Sequence, residues 1–233
     1  MLAANPAQMT NKLQELYETH ILMGMRKQRH LAEIIGQHTW HYDKAAGTMA
    51  FSPGPTYHVQ VLGTEAADSN TWLWAWANTA SQIPAEQLQA AEQLRTLGQQ
   101  LGIEEFITPE LPREKLPAHT LGPVALGLLG LPGYYRGAME KTNLLVAIAD
   151  PKFAAPIALK GTELLATLGD AVSGCEIPNH RFAVEKFVEQ LGWNLHWQGD
   201  VLEVVASDGV RVTCQFDHLH RLAKMSSRVP AGT

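Results

Sequence analysis

Ten histidines are the first residues of this chain whose types and spacing could do chemistry. His218 and His220 stand two apart, so on a strand they would share one face beside Asp217. With His196 on a preceding strand they would form the kind of three-ligand set that zinc accepts. The competing reading is a solvated pair in a polar tail. His41, beside Trp40, and His58 on a neighbouring strand would meet across a sheet, but no HExxH-type spacing supports them, and polar-face histidines are the plainer reading. The segment Pro132-Gly133-Tyr134-Tyr135-Arg136-Gly137 places two phenol hydroxyls and a guanidinium on a Gly-bounded turn, a set suited to hydrogen-bonding an anion or carboxylate. Alternatively the tyrosines pack at the core edge and Arg136 pairs with a surface acid. Cys175 and Cys214 have no CxxC partner, and no Gly-x-Ser-x-Gly elbow is present, so reduced structural thiols are expected. The glycine pairs at 127/130 and 133/137 lack both the Walker lysine and the GxGxxG spacing. No cofactor is expected.

The elements that must hold these groups follow from periodicity and punctuation. Thr10 caps a helix running to about Ile35, with Leu13, Leu16, Tyr17, Ile21 and Leu31 among its apolar positions and Gly36 as its stop. Strand character then takes over in Gln37–Tyr42, Thr48–Phe51, Tyr57–Leu62 and Asn70–Asn78, a four-strand meander. Pro84 opens a second helix that ends at Gly102 and covers one sheet face. Leu121–Leu131 suits a buried helix and Asn143–Ala149 a buried strand. Two further helices, about Pro156–Leu168 and Pro178–Leu191, precede strands at Trp193–Trp197, Val201–Ala206 and Val210–Phe216, the last two joined by the hairpin signal Asp208-Gly209. The expected fold is α+β: an antiparallel β-meander with helices packed mainly on one face over residues 10–153, plus a C-terminal helix and three-strand unit over 154–225. That unit either extends the sheet or forms a small second one, as part of the same domain or as an extension of it. The order helix, glycine, tryptophan, hairpin occurs twice, from Ile34 and from Leu191, as a duplication or a coincidence.

Three of the six tryptophans fall within Thr71-Trp72-Leu73-Trp74-Ala75-Trp76-Ala77-Asn78. On a strand, Trp72, Trp74 and Trp76 project to one side and the smaller residues to the other. Such an indole wall is either core, a ligand or peptide groove, or an oligomer interface. With Trp40, a hairpin and Gly63 before it, and Leu94-Arg95 and Gly102–Phe106 after it, the string resembles a bacterial domain family of unknown function over roughly residues 10–150. That resemblance implies a bacterial α+β domain and carries over no activity, cofactor or catalytic residue.

Composition narrows the function classes. Eighteen Lys and Arg against 23 Asp and Glu give a net charge of −5, the wrong sign for gripping a polyanion, so no nucleic-acid partner is expected. No apolar run approaches the roughly 20 residues needed to cross a bilayer, and the start lacks a secretory pattern, so a cytoplasmic protein without a membrane partner is expected. The function expected is a non-enzymatic module binding a small molecule or a protein. Trp40, Tyr57, Trp72, Trp74 and Trp76 would offer its apolar surface, and Tyr134, Tyr135 and Arg136 its polar anchors. The alternative is a hydrolase or metal-dependent enzyme using His41 and His58, or His196, His218 and His220.

Overall fold

Helix α1 (Asn11–Ile35) starts where Thr10 stops it fraying: the Thr10 hydroxyl accepts the Leu13 N–H at 3.4 Å. The buried Glu105 carboxylate in turn accepts the Thr10 N–H and hydroxyl at 2.9 and 3.0 Å. The computed structural model describes residues 9–153 and 159–229. The expected frayed start and the expected helix start near Pro156 fall largely or wholly outside them.

Seven strands form the first sheet: β1 (Thr39–Asp43), β2 (Thr48–Ser52), β3 (Thr56–Ala66), β4 (Thr71–Trp74), β5 (Glu110–Pro112), β6 (Gly133–Ala138) and β7 (Thr142–Ile148). They run antiparallel in the order β1-β2-β3-β4-β5, with β7 paired to β3 and β6 paired to β7. Between strands lie α2 (Gln89–Leu101), α3 (Glu104–Ile107) and α4 (Ala118–Leu129). After them come α5 (Gly161–Gly174) and α6 (His180–Gln190). A separate antiparallel sheet holds β8 (Asn194–Gln198), β9 (Val201–Val205), β10 (Arg211–Phe216) and β11 (Leu222–Arg228). The fold is α+β, and the C-terminal strands form their own sheet rather than extending the first. Among the described residues no helix is long and apolar enough to cross a membrane.

Helix α1 is the spine joining the two parts. It lies close on α4, where a Cβ on Gly24 would come within 2.5 Å of Pro123, and the His20 ring occupies the space a side chain at Gly127 would need. On its other side it meets α6: Gln190 Nε2 donates to the Thr19 carbonyl at 2.6 Å, and the Asn179 N–H donates to Glu18 Oε1 at 3.2 Å.

Three expectations are corrected. The tryptophan strand ends at Trp74, and Ala75–Ala77 form a 3-10 turn. On one side β5 reaches only as far as Leu73; on the other β3 continues past Gly63, but the chain turns off it after Trp74. Trp72 and Trp74 are fully buried, so they are core and not a ligand-facing wall. The Trp72 ring lies over Gly63, where any Cβ would overlap it. Second, Gly133–Ala138 is a strand paired with β7 along its whole length, not a turn; the chain reverses at Met139, whose N–H donates to the Thr142 carbonyl at 2.8 Å. Third, the C-terminal unit has four strands. β11 pairs with β10 across the segment read as a polar tail, and its exposed residues show no apolar alternation to announce it.

The twofold helix–glycine–hairpin order is visible in the structure. Gly36 and Gly192 follow their helices with φ of 51° and 68°, which favours glycine. β1 and β8 share one burial alternation, and β2 and β9 share another.

Candidate functional site

One face of α1 carries Tyr17, Ile21, Met25, Gln28 and Ala32 at the three- and four-residue spacing that aligns side chains along a helix. Opposite them stand Tyr134, Tyr135 and Arg136 of β6 and His119 from the first turn of α4; Asp170, Gly174, Cys175 and Glu176 at the end of α5 close the third side. Together they enclose a cleft of about 500 Å³. That size suits a small organic ligand.

Each wall is fixed by something distant in sequence. Tyr134 lies flat on α4 because position 122 is glycine, where a Cβ would come within 2.6 Å of the phenol ring. Tyr135 is hydrogen-bonded to His38 Nε2 at 2.9 Å and wedged edge-on against Phe51, with ring centres 4.9 Å apart. Arg136 Nε donates to Glu65 Oε2 at 2.7 Å, and Glu65 Oε1 accepts the Ala118 N–H at 2.8 Å. Glu65 is only 3% exposed, so one buried carboxylate aims the guanidinium and ties β3, β6 and α4 together. The acid that pairs with Arg136 is therefore buried, not on the surface.

Burial sets the protonation states. It pushes the Tyr17 and Tyr134 phenols well above their ordinary range, and it raises the Cys175 thiol, although the Tyr17 hydroxyl pulls the other way. Burial lowers His119, and the Arg136 charge lowers it further. At neutral pH the phenols and the thiol keep their protons and the imidazole is uncharged. Arg29 pairs with Asp170 and Arg136 with Glu65. Cys175 Sγ also touches Met25 Sδ at 3.6 Å, and Gln28 Oε1 is buried with no partner among the described residues. The lining is thus largely apolar, studded with neutral donors and acceptors, and its charges are mostly matched.

Of the residues singled out in the sequence, Tyr134, Tyr135 and Arg136 meet in this cleft. Trp40 abuts Tyr135 edge-on at 6.0 Å and Tyr57 packs behind it through Phe51 at 6.4 Å, so these two support the cleft without lining it. Trp72 and Trp74 lie in the core, and Trp76 is half-buried under the Arg95 guanidinium at 4.2 Å. His41 and His58 share a face but sit on β1 and β3 with β2 between them and two residues out of line, about 12 Å apart by strand spacing and rise, too far to act together. His196 is on β8, whereas His218 and His220 lie in the β10–β11 turn, whose Asp217 carboxylate already accepts the N–H groups of Leu219 and Arg221. Among the described residues no group of three or more His, Cys, Asp or Glu could hold a metal ion, which removes the His196, His218 and His220 set. Sequence reading missed Met25, Gln28, His119 and Cys175 as site residues. A polar residue interrupting the apolar stripe of α1 at Gln28 was the available signal.

No curated protein and no solved structure matches the chain significantly. A family model does, over residues 14–151, which spans nearly all of α1 and continues through β7. It therefore takes in every wall of the cleft except the end of α5. The chain belongs to the family of unknown function DUF6882.

Proposed function

We propose that the protein is a binding module for a small, mostly apolar, uncharged molecule held in the cleft between α1, β6 and the end of α5. The observation that carries this reading is the matching of charge inside the cleft. Arg136 is neutralised by a buried glutamate before any ligand arrives, so it serves as an oriented hydrogen-bond donor rather than a free receptor for a carboxylate. Ile21, Met25 and the Tyr134 ring supply apolar contact, and Gln28 lies in the same wall. A thiol held protonated by burial is a poor nucleophile, which favours binding over thiol catalysis at Cys175.

Nile red, a neutral dye that brightens in apolar surroundings, tests the reading. Ala32 is exposed and lines only the mouth of the cleft, so Ala32→Trp fills the entrance without touching the core. The helix-propensity cost of that change is about 0.5 kcal/mol. The wild type is expected to bind the dye saturably in the cleft, and Ala32→Trp to weaken that binding at least about tenfold. Equal affinity in the two proteins contradicts the proposal.

A further inference from the structure

A second cavity of about 720 Å³ lies on the other side of α1, bounded by α4 and α5. It shares Arg26, Arg29 and Thr167 with the cleft but differs in chemistry. Within eleven residues α1 turns His20, Arg26, Lys27, Arg29 and His30 toward it. The acids nearby are largely committed. Asp170 pairs with Arg29, and Glu163 Oε2 accepts the Lys160 N–H at 2.9 Å in the first turn of α5. Lys27 is half-buried, and its Nζ donates to a neutral partner, the Leu131 carbonyl, at 2.8 Å; no carboxylate among the described residues lies within ion-pair distance of it. An ammonium has three protons to donate, so this one retains donor capacity. His20 sits alongside, its Nδ1 buried against Gly127 with no partner among the described residues. Burial alone pushes the Lys27 pKa down, the signature of a cation taken from water without a compensating negative charge.

We propose that this cavity binds an organic monoanion, with its oxyanion group at Lys27 and its apolar body against Met23, Pro123 and Leu126. The two lining carboxylates, Glu33 and Glu163, limit the ligand to a single negative charge by repelling a second. An oxyanion there would accept a charge-assisted hydrogen bond from Nζ in a half-buried setting, where such bonds are worth more than in water. Lys27, Met23, Pro123 and Leu126 line this cavity and not the neutral-ligand cleft.

The probes are 8-anilinonaphthalene-1-sulfonate and N-phenyl-1-naphthylamine, two dyes that share an apolar body and differ in the sulfonate. Fluorescence titrations are run in the Ala32→Trp background, so that the cleft is closed. The sulfonate dye is expected to bind at least about tenfold more tightly than the neutral one, and Lys27→Met to remove that preference while leaving the neutral dye within about twofold. Glu33 is exposed, so Glu33→Gln keeps the fold even if Lys27→Met does not; it is expected to tighten sulfonate binding about two- to threefold by removing a repelling charge. Equal affinity for the two dyes overturns the proposal, as does a sulfonate affinity that neither substitution changes.

Discussion

Replacing Trp74 by alanine is expected to destabilise the protein by about 3–5 kcal/mol, the largest effect of any single substitution considered. The indole is fully buried and packs edge-on to Trp72 at 5.5 Å and to Phe106 at 5.9 Å. Its Nε1 donates to the Glu105 carbonyl at 2.9 Å, and the carboxylate of that same glutamate holds the start of α1. Truncation therefore opens a cavity, leaves a buried carbonyl without its donor, and loosens the anchor of the helix that joins the two sheets. Trp76 offers the internal control. It is half-buried and contributes mainly a stack on Trp74 at 6.4 Å and the Arg95 contact, so Trp76→Ala is expected to cost less than half as much. Urea unfolding curves measure both. A Trp74→Ala cost below about 1 kcal/mol would show that the tryptophan string is not core.

Glu65→Ala is expected to cost about 3 kcal/mol, because it leaves the Arg136 guanidinium without its counter-charge and the Ala118 N–H without an acceptor. The penalty comes from stranding buried polar groups more than from losing attraction. For that reason the double variant Glu65→Leu with Arg136→Met is expected to recover most of the loss, since two apolar side chains strand only the amide. The measurement is a double-substitution cycle in urea. If the single and double variants are equally unstable, the pair is not what holds β3 and β6 at the cleft. The single substitution is also expected to weaken Nile red binding, because Arg136 loses its fixed aim.

How far the sequence reaches can be seen element by element. α1 is legible because its signals are local: the Thr10 cap, the apolar stripe and the Gly36 stop all lie within the helix or next to it. The end of β4 was not, since the alternation of Trp72, Trp74 and Trp76 contains nothing about where the chain turns off β3 into its 3-10 turn. Gly133 and Gly137 read as turn punctuation. In the structure Gly137 is paired within β6, and it is glycine because a Cβ there would come within 2.7 Å of the Trp40 ring, a contact between residues nearly a hundred positions apart. The cleft was half legible. Tyr134, Tyr135 and Arg136 were marked by their chemistry, but the α1 face and Cys175 that complete the site meet them only through tertiary packing. Likewise, Arg136 invited an anion-binding reading until the buried Glu65, 71 residues earlier, supplied its charge partner.

The central claim is that the binding surface is the α1–β6–α5 cleft and not the tryptophan strand. Hydrogen–deuterium exchange of the full chain, with and without saturating Nile red, tests it most directly. The account predicts slowed exchange in residues 17–32, 133–138 and 174–176 and no change in residues 71–78. Slowing confined to residues 71–78, or to the C-terminal sheet, would contradict it.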